Sequence, residues 1–337
     1  MSGGELGLGF QSDKSWRDYE RLALAAEEYG FDVVAVFGDL YFGPPVPALL
    51  AMARATNRIR LGPACLNPFT LHPVEIAGQI AALDEASGGR AFCGLARGTW
   101  LADLGIEQAG AVDAVVEAAA IVRALLAGEG EAVGGSRFVL PAGVRLRPTP
   151  LRRAVPILVG TWGPRLARQA ATFADELKVG GSANPEMVAV ARSWLAPDPA
   201  EREHTTDVKL VLGAVTVVDE DGDAARRRAR EEVAMYLDVV AGLDPTVEVD
   251  PALLAELHAR VGAGDRAAAG ALVTRTLLDR FAFAGTPAEV AEHAVAVLAA
   301  GADRLEFGTP HGLSDAAGVA LLGAKVLPAV RAEIARS

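Results

Sequence analysis

The chain has few of the residues that build disulfide-stabilised or membrane-spanning proteins. Its two cysteines, Cys65 and Cys93, lie in or at the end of apolar stretches, so we expect free buried thiols and no disulfide framework. No apolar run reaches the roughly 18 residues of a membrane span. The opening MSGGELGLGF also lacks the charged and apolar regions of a signal peptide. These absences predict a cytoplasmic protein.

Positive charge is also in short supply. Lysine and arginine number 32 against 43 aspartates and glutamates, which gives a formal net charge of -11. An excess of negative charge argues against binding to nucleic acid or to a membrane surface, while a local anion site stays compatible with it. We therefore expect the main partner to be a small-molecule substrate.

The familiar catalytic motifs are missing from the predicted strand ends. No P-loop, nucleophile elbow or dinucleotide-binding glycine motif follows a predicted strand, and no spacing of cysteines and histidines fits a zinc site. The five histidines are scattered along the chain. No metal site is predicted, and the chemistry must come from polar side chains and backbone groups.

The stretch from residue 59 to residue 98 contains a complete strand, helix, strand unit. Strand-forming residues run from Ile59 to Cys65, and a second apolar run covers Ala91 to Leu95. Between them, Pro73 begins an amphipathic helix that Gly88 ends. Such a crossover joins parallel strands, so the loops after the two strands should lie side by side where parallel folds bind ligands.

The same alternation recurs along the whole chain and predicts a single α/β domain over residues 1–337, a (β/α)8 TIM barrel. Residues 222 to 280 form a helical stretch too long for an ordinary crossover, which predicts an insertion after the seventh strand. Residues 131 to 140 have the pattern of a β-hairpin. The eight predicted strands span residues 6–10, 32–37, 59–65, 91–95, 155–160, 176–179, 208–218 and 304–307.

Four polar residues follow predicted strands and should point into one mouth of the barrel. They are Asp39, Asn67, Arg97 and His311, after strands two, three, four and eight. Asp39 could equally cap the next segment, and Arg97 could pair with a nearby carboxylate. Backbone N–H groups at Gly98 and at Gly160 to Gly163 could bind a phosphate at helix openings or merely form tight turns. Trp162 could stack on a flat ligand or plug the barrel.

Several blocks, in order along nearly the whole chain, resemble the bacterial luciferase-like flavin and deazaflavin oxidoreductases. The closest branch is that of the methylenetetrahydromethanopterin reductases that use coenzyme F420. The resemblance implies F420 as the cofactor, with FMN as the alternative, and a homodimer. The blocks are RIRLGPACLNPFTLHP, AALDEASGGRAFCGLARG, ADLGIE, VPILVGTWGPR, ADELKVGGSANP, FAFAGTPAEV and GADRLEFGTPHG.

The resemblance also implies which residues form the site. The third strand should end in a bulge with a non-prolyl cis peptide behind the ring, at Cys65–Leu66 by motif position. Asp39 is expected near the reactive edge as the polar or proton-transfer partner, with His311 as a weaker catalytic candidate. Together with the strand-end argument, the candidate cofactor-binding residues are Asp39, Ala64, Cys65, Leu66, Asn67, Arg97, Gly98, Gly160, Thr161, Trp162, Gly163, Gly180, Gly181 and Ser182.

Three positions depart from the family pattern. Leu40 stands where many relatives have a histidine. Gly9 and Thr99 stand where the reductase branch has a glutamate and an aspartate. Both acids are thought to serve the pterin, so their absence puts that substrate in question, whereas Arg97 resembles an arginine that luciferase places near the FMN phosphate.

Three hypotheses follow. The first is F420-dependent hydride transfer between C5 of the ring and a small organic substrate, a pterin-like one included. The second is an FMN-dependent monooxygenase, in which reduced flavin captures oxygen. The third is a non-catalytic barrel that binds a flavin or a partner. Parallel binding of F420 and FMN separates the first two, and turnover with any electron acceptor excludes the third.

Overall fold

Parallel strands joined by helices close into a barrel in this computed structural model, which describes residues 4–196 and 207–336. Within those residues, eight strands follow one another in the order β3-β2-β1-β11-β9-β8-β7-β4. Bridges from Leu61 to Ala91 and from Leu66 to Leu95 join β3 to β4 and complete the ring. The predicted (β/α)8 barrel is confirmed. The strands are β1 (Glu5–Phe10), β2 (Val33–Val36), β3 (Arg60–Pro63), β4 (Cys93–Ala96), β5 (Val133–Gly134), β6 (Val139–Leu140), β7 (Ile157–Gly160), β8 (Glu176–Gly180), β9 (Lys209–Val218), β10 (Ala282–Gly285) and β11 (Arg304–His311).

The helices begin and end at local sequence signals. The Ser15 side chain caps α1, and Gly30 ends it in the left-handed conformation with a φ of 88°. Thr286 and Glu289 form a capping box at the start of α12. The helices are α1 (Trp16–Tyr29), α2 (Pro45–Ala55), α3 (Pro73–Ser87), α4 (Ala111–Ala127), α5 (Pro164–Ala170), α6 (Pro185–Leu195), α7 (Gly222–Ala234), α8 (Leu237–Val240), α9 (Pro251–Gly262), α10 (Arg266–Leu272), α11 (Arg275–Phe281), α12 (Pro287–Ala299), α13 (Asp315–Leu321) and α14 (Leu327–Ile334), with a π-helical turn over Leu322–Val326 between the last two.

Alternate residues of each strand face the helices or the barrel interior. Leu6, Leu8 and Phe10 of β1 belong to the large core beneath the helices. A smaller interior cluster contains Phe92 and Leu158. The barrel therefore has a packed interior rather than a pore. In the part of the chain that the structure describes, no helix combines the length and the hydrophobicity of a membrane span.

The region after β9 is an insertion, as predicted. Helices α7 to α11 enclose a second apolar core around Val233, Leu257 and Phe281. The insertion ends in β10, a strand that sequence reasoning missed, which pairs in parallel with Val215 to Val218 at the end of β9. β10 follows α11 directly, with no turn residue between them, so its short apolar run looks like the end of that helix.

The predicted hairpin is also present. β5 and β6 pair in an antiparallel manner. Glu117 of α4 accepts hydrogen bonds from the backbone of the hairpin, including one of 2.8 Å from Phe138. The ring of Phe138 meets that of His72, which precedes α3, edge to face at 5.5 Å. The hairpin therefore lies over the end of the barrel at which the strands finish.

The opposite end of the barrel is closed by ion pairs among the first residues of five strands, which we call the closed-end cluster: Glu5, Arg60, Glu176, Lys209 and Arg304. Glu176 and Arg304 are buried, Glu5 and Arg60 are partly buried, and the more exposed Lys209 lies 3.2 Å from Glu5. Arg60 lies 2.6 Å from Glu176. Arg304 lies 2.8 Å from the same carboxylate. Burial alone would raise the pKa of Glu176, but the two guanidiniums outweigh burial and lower it.

Candidate active site

The chain leaves the sheet in a bulge directly after β3. The peptide bond between Ala64 and Cys65 is cis, although Cys65 is not a proline. The prediction that placed this bond at Cys65–Leu66 is wrong by one residue. The reason is the register: the Leu66 N–H already donates to the carbonyl of Gly94 at 2.9 Å, so pairing with β4 resumes at Leu66 and the departure from the sheet comes before it.

Glycines at neighbouring strand ends let other chain segments approach this bulge. A Cβ atom at Gly38 would collide with the Cys65 carbonyl oxygen, and one at Gly94 would collide with that of Pro63. A Cβ atom at Gly160 would lie 2.9 Å from the Cys65 sulfur. The bulge is therefore held closely by β2, β4 and β7. Burial raises the pKa of the Cys65 thiol to about 12, which keeps the thiol neutral.

Asn67 organises the loop that follows the bulge. Its Oδ1 accepts hydrogen bonds from the N–H groups of Phe69 at 3.1 Å and Thr70 at 2.9 Å. A Cβ atom at Gly98 would lie 3.0 Å from the Asn67 side chain, so the two predicted site residues lie against each other. The ends of β3 and β4 therefore meet at one mouth, as the sequence predicted.

Asp39 lies at the same mouth, after β2. Its Oδ2 accepts a 2.9 Å hydrogen bond from Gln11, which follows β1. The side chain does not cap the next helix, because α2 begins at Pro45 with Pro44 as its N-cap residue and without a side-chain cap. Burial raises the pKa of Asp39, and the Gln11 hydrogen bond and the Lys178 charge only partly oppose this effect.

A buried ion pair lies below Asp39, and sequence reasoning missed both of its members. Lys178 of β8 donates to Glu306 of β11, and their side chains are only 6% and 1% exposed. The Lys178 ammonium also lies 5.0 Å from the centre of the Phe37 ring. Both residues lie within strands rather than after them. The only signal was a charge at an inward-facing position of an otherwise apolar strand.

The structure does not place His311 together with Asp39, Lys178 and Glu306. Its side chain is fully buried, and its ring lies 4.8 Å from that of Phe10, which belongs to the core beneath the helices. Its Nδ1 lies 3.2 Å from Asp315 of α13. Its Nε2 has no hydrogen-bond partner among the residues that the structure describes. A shift in register between Gly308 and His311 accounts for the outward placement.

The glycine-rich loops after β7 and β8 support each other. Trp162 donates from its indole nitrogen to the Gly180 carbonyl at 2.7 Å, so it ties one loop to the other. The Gly163 N–H donates to Thr161 Oγ1 at 3.0 Å. The N–H groups of Gly181 and Ser182 both donate to the Gly213 carbonyl, at 2.6 and 3.0 Å. These backbone donors are already used within the protein, which weakens the phosphate interpretation for them.

Arg97 is differently placed. Its side chain is exposed and has no ion-pair partner among residues 4–196 and 207–336. Ala96, directly before it, pairs with Gly160, so Arg97 and Thr161 follow adjacent strands. Of the candidates on this side of the mouth, Arg97 is the charged group available to an anionic ligand.

Aromatic side chains line the rim. Tyr41 is 69% exposed, Phe42 is 42% exposed and Trp100 is 36% exposed. The Tyr41 hydroxyl lies 3.5 Å from Asp103, which ties the loop after β2 to the loop after β4. A flat or apolar molecule would find contact area there. Among the described residues, no group of three or more histidine, cysteine, aspartate or glutamate side chains is arranged to hold a metal ion.

Comparisons with known proteins agree with this architecture. Residues 3–304 match the family model described as luciferase-like monooxygenase. A 5,10-methylenetetrahydromethanopterin reductase of Archaeoglobus fulgidus is 29% identical over 97% of this chain and 100% of its own length. The coenzyme F420-dependent tetrahydromethanopterin reductase of Methanopyrus kandleri superposes with a TM-score of 0.87 at 24% identity, over 97% of this chain and 99% of that one. An F420-dependent secondary alcohol dehydrogenase in complex with an F420-acetone adduct has a TM-score of 0.76 at 20% identity, over 97% and 99%.

Proposed function

The chain belongs to the luciferase-like monooxygenase family, and from this premise we propose that it is a coenzyme F420-dependent oxidoreductase that transfers hydride to or from a small organic substrate. The observation that carries the proposal is the full-length similarity to reductases of one branch, 29% identical over 97% of this chain. The fold likeness to two F420-dependent enzymes agrees with it.

The residues at the mouth fit a flat ring. The bulge at Ala64–Cys65 presents backbone and small side chains, and Gly38 and Gly160 leave no side chain beside it. Cys65, Leu66 and Asn67 would therefore back the ring. Arg97 would hold an anionic part of the cofactor, and the loops tied by Trp162 would border the same side.

When bound, F420 supplies a ring carbon that accepts or donates hydride. The protein's own contribution is position, exclusion of water and a proton. Asp39 is the group that we assign to the proton, because it lies at the mouth, bonded to Gln11, and burial raises its pKa above the ordinary value. His311 is not assigned a catalytic role, since it packs against Phe10 and not beside Asp39.

The absence of two acidic side chains at the mouth limits which substrates fit. A Cβ atom at Gly9 would lie 2.6 Å from the Phe37 ring and 2.8 Å from Glu306, so the structure has no room there for the glutamate that the reductase branch carries. Thr99 replaces the second acid. We therefore propose a substrate other than the methanopterin derivative itself. The aromatic rim favours a flat or bulky molecule.

A second candidate, an FMN-dependent monooxygenase, is favoured by Arg97. Its guanidinium is exposed, lies next to the loop at Thr161 and has no carboxylate partner among the described residues, which suits a terminal phosphate. The family description also includes oxygen-using enzymes. The ring that binds decides between the two reactions, because a carbon at position 5 favours hydride transfer over oxygen capture.

Equilibrium binding of oxidised F420 and of FMN, followed in parallel by fluorescence quenching, tests the proposal. We expect F420 to bind more tightly than FMN. Arg97→Ala should weaken that binding about tenfold, because it removes a charged hydrogen-bonding group. Arg21→Ala is the matched control, since this arginine is 71% exposed on the outer helix α1. Preference for FMN would overturn the proposal, and binding of neither would favour the non-catalytic interpretation.

The homodimer and the cytoplasmic location stay predictions. The resemblance to the family implies the first. Light scattering of the purified protein would decide the oligomeric state.

A further inference from the structure

The ion pair between Lys178 and Glu306 lies in the barrel interior below the proposed site, and the proposed reaction assigns it no role. Glu306 Oε2 is buried and has no hydrogen-bond partner among the described residues. Burying two charges is costly, and apolar residues of similar size would often serve the fold as well. A pair in this place therefore calls for a reason other than stability.

The fold makes specific room for the pair. A Cβ atom at Gly213 would lie 3.2 Å from the Glu306 side chain and 3.3 Å from that of Lys178. A Cβ atom at Gly9 would lie 2.8 Å from the carboxylate of Glu306. Two neighbouring strands, β9 and β1, thus have no side chain where the pair lies.

We call three charged groups on this side of the barrel the mouth cluster: Asp39, Lys178 and Glu306. Phe37, two residues before Asp39, is the common neighbour of the ion pair, because the Lys178 ammonium lies 5.0 Å from the centre of its ring and a Cβ atom at Gly9 would touch both that ring and the Glu306 carboxylate. The other polar neighbour of Asp39 is the neutral amide of Gln11. One ammonium therefore stands against two carboxylates. Like charges in a buried site resist simultaneous ionisation, so retaining one proton would neutralise the cluster.

We propose that Lys178, held by Glu306, is a positioning residue that sets the charge of Asp39, so that the mouth cluster carries one exchangeable proton for the reaction. The proposal rests on the proposed function and names how the site handles its proton. In the reducing direction, a bound reduced deazaflavin would supply hydride to the carbon of a substrate double bond to oxygen or nitrogen, and Asp39 would give its proton to the heteroatom. Asp39 is left as a carboxylate next to the Lys178 ammonium, and oxidation runs the same steps backwards.

Two substitutions should move the titration of Asp39 in opposite directions. Lys178→Met removes the favourable charge, so the midpoint should rise by about one pH unit. Glu306→Gln removes the competitor for Lys178, so the midpoint should fall by about as much. The probe is the carbon NMR signal of protein labelled at aspartate carboxyl carbons, with Asp39→Asn identifying the resonance. Lys178→Gln serves as a second variant if the methionine variant does not fold.

The control is Lys325→Met, which breaks an exposed pair with Glu220 on the outside of the barrel and should leave the midpoint unchanged. Mere damage to the fold would move both test variants the same way. An unmoved midpoint in both, or a shift of both in one direction, would overturn the proposal. F420 binding by the unsubstituted protein is measured separately, so failure of the proposed function and failure of the charge sharing remain distinguishable.

Discussion

Strands β8 and β11 each carry two inward charges, one at the closed end of the barrel and one below the mouth, with their signs reversed. At the closed end Glu176 meets Arg304, and two residues further along each strand Lys178 meets Glu306. In the closed-end cluster every carboxylate has two cationic partners, because Arg60 and Arg304 flank Glu176 while Arg60 and Lys209 flank Glu5. The mouth cluster has a surplus carboxylate, because Asp39 adds a second one to a single lysine. Full pairing serves folding, and the surplus carboxylate leaves a proton to exchange.

The largest effect should come from removing one buried cation from the closed-end cluster. Arg304→Met leaves Glu176, which is 3% exposed, with one guanidinium instead of two. Breaking a buried ion pair by removing one partner costs about 3–5 kcal/mol. We expect urea unfolding to show a loss of that size, against nearly none for Lys325→Met, whose pair is exposed. Equal stability of the two variants would contradict the assignment of this cluster to the fold.

A smaller loss is expected from filling the space around the mouth cluster. Gly9→Ala forces a methyl group to within 2.6 Å of Phe37 and 2.8 Å of Glu306. Overpacking of this kind costs about 1–3 kcal/mol. Gly78→Ala in α3 is the control, because nothing lies within 4 Å of its Cβ position. The control should gain about 0.5–1 kcal/mol from helix propensity, and a neutral result for Gly9→Ala would show that the space is not needed.

The two clusters should also respond to pH with opposite signs. The pKa of Glu176 is lowered by Arg304 and Arg60 against the effect of burial, so its contribution is present above its ordinary value of 4.5 and is lost as pH falls through the folded-state pKa. Burial raises the pKa of Asp39, so its contribution is present below 3.8 and is lost as pH rises through the folded-state pKa.

Asp39→Asn should therefore be more stable than the unsubstituted protein at neutral pH, and the difference should shrink as pH falls towards 3.8. Urea unfolding over a pH series measures it. At the same time turnover should fall, because the substitution removes the exchangeable proton. A variant that is less stable at neutral pH, or a difference independent of pH, would place Asp39 among the structural charges instead.

The smallest expected effect is on the reactivity of the Cys65 thiol at the mouth. Burial raises the pKa of Cys65 to about 12, and burial likewise raises the pKa of Cys93. Since the thiolate is the reactive form, neither residue should react appreciably with a thiol reagent in the native protein near neutral pH. Both should react in denaturant. Rapid native labelling of Cys65 would mean that the mouth is more open to water than the geometry indicates.

The sequence predicted what local signals govern. Prolines, capping residues and terminal glycines define helices such as α1, α3 and α12, and β-branched runs mark the strands between them. Eight alternations were enough to predict the barrel. The mouth at Asp39, Asn67 and Arg97 followed from the rule that parallel strands present their carboxyl ends to the ligand.

What the sequence could not show depends on pairing across the chain. Lys178 and Glu306 are 128 residues apart, and their contact exists only because β9 holds β8 and β11 on either side of it. The predicted position of the cis bond was wrong by one residue, because the register of Leu66 with β4 determines where the bulge begins. The sequence analysis predicted His311 at the mouth, because the register shift after Gly308 has no local signature.

Anaerobic single-turnover mixing of the protein with reduced F420 and a panel of carbonyl and imine compounds tests the central claim most directly. The account predicts that at least one compound reoxidises the deazaflavin without oxygen, and that Asp39→Asn slows this step about 10² to 10⁴-fold. Reoxidation that requires oxygen, or turnover with reduced FMN alone, would contradict hydride transfer and favour the monooxygenase.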